Sequence, residues 1–167
     1  METDVIGIDI GGTLAKAIVL DSTSFEIKDQ LTIASSDKGP ELVKIIKSLV
    51  GKLEENTKQS FSTLGLGIAG LTHRSGVVRY SPNLPNLIEF PITIEVENEL
   101  GIPVVIGNDA TVGTIAEWKI GAGKGSENFA LVTLGTGIGA GLVVDGRLLL
   151  GNNGFAGEAG HMTIDVN

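Results

Sequence analysis

Asp9-Ile10-Gly11-Gly12-Thr13 near the N-terminus and Thr133-Leu134-Gly135-Thr136-Gly137-Ile138-Gly139-Ala140-Gly141 further along decide the fold. Each follows an apolar run of strand type, Val5–Ile10 in the first case and Phe129–Leu134 in the second. Glycine corners after strands let a backbone approach phosphate with no Cβ in the way, and successive N–H groups form an anion nest. Two such corners in one chain suggest a phosphate chain held from two sides. Phosphoryl transfer from a nucleotide is therefore the first hypothesis, ahead of simple binding. Taken singly, each corner reads equally well as a tight hairpin without a ligand, because short glycine patterns recur often.

Working outward from these corners, residues 15–20 resume as a strand and pair with the first as a hairpin. Residues 25–34 form a third strand. Pro40 then opens a helix, with Leu42, Ile45, Ile46, Leu49, Val50 and Leu53 on one face. A buried strand over 63–68 ends at Gly70, and 71–90 is loop. A helix over 92–100 closes at Gly101, a strand over 103–106 runs into Asn108-Asp109, and 110–120 is helical, with Trp118 in the core. Strands follow at 129–134, 141–144 and 147–150. This order is an α/β pattern. The run from 129 to 150 imitates the opening of the chain, so a second, similar domain is expected to begin there. The boundary is placed near 121–125, where glycine is dense: residues 1–120 form the first domain and 121–167 the incomplete start of the second.

The chain has 167 residues, of which 42% are hydrophobic, with mean hydropathy +0.27, enough for one ordinary core. No apolar run approaches the length of a membrane span, and no secretory leader pattern opens the chain. Cysteine is absent, so disulfides and thiolate metal sites are excluded. A cytoplasmic protein fits. Twelve Lys and Arg against 20 Asp and Glu give a net charge of −8, with no basic stripe of the kind nucleic acid needs. Anionic substrates would have to be met by backbone N–H groups, a metal or a few local cations.

The chemistry-bearing residues are few. Asp9, at a strand end, could hold Mg²⁺ directly or through water, since oxygen ligands suit that cation. Thr13 could give a hydroxyl to phosphate. Asn108-Asp109 lies at a strand's carboxyl end, where ligands collect in open α/β sheets, but Asn and Asp are also preferred helix caps. A carboxylate there could take the proton of an attacking hydroxyl. Glu158 and His161, three apart between glycines, could bind a polyol, or His161 a metal; a solvated loop pair reads as well. His73 and Arg74 belong to a surface loop. Nothing has the spacing of a serine-nucleophile or zinc motif.

Asp9-Ile-Gly-Gly-Thr13, Gly67-Ile-Ala-Gly70, Ser81-Pro-Asn-Leu-Pro85, Asn108-Asp-Ala110, Leu134-Gly-Thr-Gly-Ile-Gly139 and Gly157-Glu-Ala-Gly-His161 together resemble, in order and spacing, the ROK family. That family holds sugar kinases, glucokinase foremost, and sugar-responsive repressors. The resemblance covers the whole chain. It implies an actin-like ATPase fold of two ribonuclease-H-like domains with a cleft between them, here the N-terminal domain plus the first strands of its partner. It implies that Asp109 is the catalytic base taking the proton of a sugar hydroxyl attacking the γ-phosphate of ATP. Asn83, Asn108, Glu158 and His161 match sugar-binding positions. Gly11, Gly12, Thr13, Lys16, Gly135, Thr136 and Gly137 match the phosphate corners, and Asp9 the acid near Mg²⁺. A hexose substrate, a place in glycolysis and a homo-oligomer are implied as well.

Two departures qualify the match. Leu14 stands where many relatives have Lys or Asn, and the chain ends soon after His161, ahead of the cysteines with which relatives complete a structural zinc site. Zn²⁺ is therefore expected only in a longer parent, and the 167-residue chain alone is expected to be inactive, whether fragment or natural truncation. The alternatives are a regulator of the same family, which would need a DNA-binding segment ahead of Asp9, a kinase for N-acetylmannosamine or another hexose, a pantothenate kinase, or a non-catalytic fragment.

Overall fold

The computed structural model describes residues 4–135 and 137–165. Contacts divide the chain into two units after Asp109.

The first unit is built on a five-stranded mixed sheet in the order β3-β2-β1-β4-β7. Strand β1 (Val5–Ile10) turns at the first glycine corner into β2 (Leu14–Leu20), which turns again into β3 (Ile27–Ala34), all antiparallel. The third strand starts later than the sequence suggests. The Asp21 carboxylate accepts from the N–H groups of Thr23 and Ser24, and its carbonyl accepts from Phe25, which holds 21–25 as a turn. Helix α1 (Gly39–Thr57) carries Pro40 in its first turn and buries Leu42, Val43, Ile46, Leu49, Val50 and Leu53. That stripe packs with the alternate residues Ile6, Ile8 and Ile10 of β1 in one core. Each such fully buried aliphatic side chain contributes about 1.5–3 kcal/mol.

The chain then returns to the sheet. Strand β4 (Leu64–Ile68) lies parallel to β1, and β7 (Val104–Asn108) lies parallel to β4. Between them, the stretch read as loop contains a short hairpin, β5 (Leu71–Thr72) with β6 (Val78–Tyr80), which continues through a bridge from Val78 to Phe90. Helix α2 (Ile92–Leu100) ends at Gly101 in the left-handed region, whose N–H donates to the Glu97 carbonyl at 2.8 Å.

The second unit holds a three-stranded antiparallel sheet, β10-β9-β8, from β8 (Phe129–Leu134), β9 (Ile138–Val144) and β10 (Arg147–Leu148). Helix α3 (Asp109–Ile120) packs on it rather than closing the first unit, which moves the contact boundary upstream of 121–125. The reason is close packing. A Cβ on Gly139 would lie 3.0 Å from the Ala110 Cβ, and one on Gly141 would lie 2.8 Å from the Thr114 Cβ and overlap its hydroxyl. Trp118 is half-buried rather than core: its Nε1 donates to the Ser126 carbonyl at 2.9 Å and Lys119 Nζ sits 4.0 Å from its ring centroid. Among the described residues no helix is long and apolar enough to cross a membrane.

Replacing Gly141 by alanine should overpack the α3–β9 contact and cost about 1–3 kcal/mol. Urea unfolding checks this, and a midpoint equal to that of the parent protein would refute the packing argument.

Candidate functional site

Parallel pairing sets the geometry of the first unit. Register aligns Asp9 with Gly67 and Gly67 with Gly107, then Ile10 with Ile68 and Ile68 with Asn108. The carboxyl ends of β1, β4 and β7 therefore finish level, and their exits carry the first glycine corner, Gly70 and Asn108-Asp109. Alternation along β1 buries Ile6, Ile8 and Ile10 and turns Asp9 to the opposite, exposed face. Directly across from it on β2 stands Lys16.

Asp9 is open to solvent by surface area, yet enough atoms crowd its carboxyl to desolvate it in part, and this raises its pKa above the ordinary aspartate value. The negative charge of Asp109 raises it further, and Lys16 opposes both. The two acids named from sequence are thus close enough to feel each other. Asn108 donates from Nδ2 to the Gly70 carbonyl at 2.9 Å, which ties the exit of β7 to that of β4. The Ala69 N–H donates to the Ile10 carbonyl at 3.1 Å and ties β4 to β1.

Asn83 joins the same edge. Its loop is anchored by Ser81, Leu84 and Leu87, each fully buried, while Asn83 is exposed. A Cβ on Gly12 would lie 2.6 Å from the Asn83 carbonyl oxygen, so glycine is what lets the loop rest on the corner. Within the corner, the Gly11 N–H donates to the Leu14 carbonyl at 2.9 Å. That donor is spent inside the turn.

In the second unit the corner between β8 and β9 repeats this device. Leu134 pairs with Ile138, and the Gly135 N–H donates to the Gly137 carbonyl at 3.0 Å. Gly135 is consequently no more available as a donor than Gly11. Thr136 lies outside the described residues. Glu158 precedes and His161 ends a single 3-10 turn (Ala159–His161), His161 Nε2 standing 3.7 Å from Glu158 Oε2, beyond hydrogen-bond length. The segment lies on β9: a Cβ on Gly157 would sit 2.6 Å from the Ala140 carbonyl, and one on Gly160 would overlap the Ile138 carbonyl.

The structure thus gathers Asp9, Gly11, Gly12, Thr13, Lys16, Asn83, Asn108 and Asp109 at one sheet edge, and Gly135, Gly137, Glu158 and His161 along β9 of the second unit. For Mg²⁺ the donors fit: two carboxylates that repel each other are the oxygen ligands this cation accepts alongside water and phosphate. For Zn²⁺ they do not. The chain has no cysteine, and the described residues hold no group of three or more His, Cys, Asp or Glu able to bind a metal.

With this geometry in hand, comparison with known proteins is informative. The sequence pattern of the ROK family matches residues 5–167. A glucokinase of Halalkalibacterium halodurans is 34% identical over 165 residues, covering 95% of this chain and 49% of that protein. The xylose repressor of Bacillus subtilis is 31% identical, covering 97% of this chain and 43% of that one. The crystal structure of a ROK family glucokinase from Streptomyces griseus, in complex with glucose and AMPPNP, superposes with a TM-score of 0.88 at 32% identity, covering 98% of this chain and 51% of that one. The chain spans about half the length of the curated relatives it matches. Its mixed α/β architecture is that of the ROK sugar kinases, an actin-like ATPase fold, and the chain belongs to the ROK family.

Proposed function

We propose that this chain forms the N-terminal part of an ATP-dependent sugar kinase. It would transfer the γ-phosphate of ATP to a hexose hydroxyl, with glucose, giving glucose 6-phosphate, as the substrate to test first. The observation that carries this reading is the meeting of Asp9, Asn83, Asn108 and Asp109 at the level ends of three parallel strands. The similarity to glucokinases, one of them solved with glucose and AMPPNP, supports it. Division into a ribonuclease-H-like domain and the start of a second, a cytoplasmic location, a role in glycolysis and a homo-oligomeric state belong to the same proposal.

In this mechanism Asp109 accepts the proton of the attacking sugar hydroxyl, and its main work is to orient that oxygen toward phosphorus. The sugar oxygen bonds to the γ-phosphorus as the bond to the leaving oxygen of ADP breaks. Asn108 and Asn83 hold the sugar in the first unit; Glu158 and His161 are the sugar-binding candidates that the second unit carries. The N–H groups of Gly12 and Thr13 and the Lys16 ammonium meet the phosphates from the first unit; Gly137 is the phosphate-binding candidate of the second. Mg²⁺, when bound near Asp9, would neutralise phosphate charge. A sugar-responsive regulator is the second reading, supported by the similarity to the xylose repressor; sugar-dependent ATP consumption separates the two.

In the intact natural protein, Asp109→Asn should lower turnover by about 10²–10⁴-fold while leaving glucose affinity within a few-fold. Coupled measurement of ADP release, with calorimetry for glucose, checks this; unchanged turnover would remove Asp109 from its role.

The raised Asp9 carboxyl gives a second test. In the native state the proton is held more tightly than at the ordinary value of 3.8. The associated stability is complete below that value and is lost as pH rises through the native one. Asp9→Asn should therefore melt higher than the parent at pH 7 without Mg²⁺, and the difference should vanish near pH 3. A variant that gains nothing at neutral pH would show that neither desolvation nor the Asp109 charge disfavours the Asp9 carboxylate.

A further inference from the structure

We propose that Gly70 is a positioning residue for sugar recognition, acting at once on the loop that carries Asn83 and on Asn108. The inference rests on the sugar-kinase reading above and assigns a role to a glycine that this reading leaves idle.

Four observations meet at this residue. Gly70 has φ +118°, a backbone conformation that residues with a Cβ rarely adopt. A Cβ here would stand 2.6 Å from the Tyr80 carbonyl oxygen and 2.7 Å from the Ser81 Cβ, so the start of the Asn83 loop lies directly on the bare Cα. The Gly70 carbonyl accepts the Asn108 Nδ2 proton at 2.9 Å. The far side of the same loop rests on Gly12, whose missing Cβ makes room for the Asn83 backbone.

The loop cannot yield inward. Its own anchors Ser81, Leu84 and Leu87 are already fully buried, with no solvent-filled space beneath them to move into. An added methyl at position 70 therefore moves the loop outward and carries exposed Asn83 with it. The peptide that ends in the Gly70 carbonyl must turn as well, which pulls the acceptor from Asn108. Both amides named for sugar binding then shift together, while the donors of Gly12 and Thr13 stay on their own turn. The expected signature is a defect in sugar binding that spares ATP.

The experiment is steady-state kinetics on the intact natural protein with Gly70→Ala, and with Gly65→Ala as control. Gly65 lies on β4, the strand that leads to Gly70, is exposed, and a Cβ there would meet only the Ile6 carbonyl at an ordinary 3.6 Å. Gly70→Ala should raise KM for glucose roughly tenfold or more, as a displacement of an ångström in positioning groups does. KM for ATP should stay within about twofold. Gly65→Ala should match the parent. A Gly70→Ala enzyme with unchanged glucose KM, or with both KM values raised alike, overturns the inference alone. A parent protein that consumes no ATP with any hexose overturns the kinase reading and the inference with it. Should Gly70→Ala not fold, the parent carries the test by NMR. Added glucose should move the Gly70 carbonyl resonance together with the Asn108 side-chain amide, and a carbonyl that does not respond refutes the role.

Discussion

The parallel register of β1, β4 and β7 is the constraint on which the candidate site depends. Parallel strands cannot be joined by a tight turn, so each must send the chain away over the face and back again. Their exits therefore collect at one edge, and register decides which residues stand there. Here it aligns Ile10, Ile68 and Asn108, so that an acid on the first strand, a glycine after the second and an amide-acid pair after the third become neighbours. A slip of one residue would turn Asp9 into the core and Ile10 out of it. The hydrophobic core opposes that slip, because Ile6, Ile8 and Ile10 share it with the buried stripe of α1. Hydrophobic patterning far from the chemistry thus holds the chemistry in place.

Charge sets the second condition. A chain with a net charge of −8 and two acids close together at its candidate site repels a polyphosphate. Backbone dipoles and Lys16 act in the opposite direction. Lys16 stands across from Asp9 and already draws its carboxyl toward ionisation. The glycine corners contribute less than their composition suggests, since the N–H groups of Gly11 and Gly135 are closed inside their own turns. Their glycines serve close approach more than donation. A divalent cation held by these two acids would offset their mutual repulsion.

Much of this was legible in the sequence, for identifiable reasons. Helix α1 is nineteen residues with one unbroken apolar stripe, so its period and its proline start could be read directly. Asp9, Asn108 and Asp109 stand at strand ends, where apolar runs stop and polar residues begin. The hairpin of β5 and β6 was not legible, because strands of two and three residues are too short to display alternation. Trp118 was misplaced because a large ring in a helix suggests burial, whereas its indole N–H reaches a carbonyl near the surface. The contact division falls after Asp109, ahead of the glycine run at 121–125. Upstream of it, the glycines of β9 draw α3 into their own unit.

Gly70 marks the limit of what a sequence discloses. Its motif was visible, but nothing in Gly67-Ile-Ala-Gly70 says which other loop will lie on the bare Cα. That depends on Tyr80 and Ser81, which arrive through a hairpin the sequence conceals. The same holds for Gly12, whose partner Asn83 is far along the chain. In both places a missing side chain is read as freedom until the fold supplies a neighbour, and then it becomes a fitted contact. Two residues without functional groups thereby set the position of amides that have them.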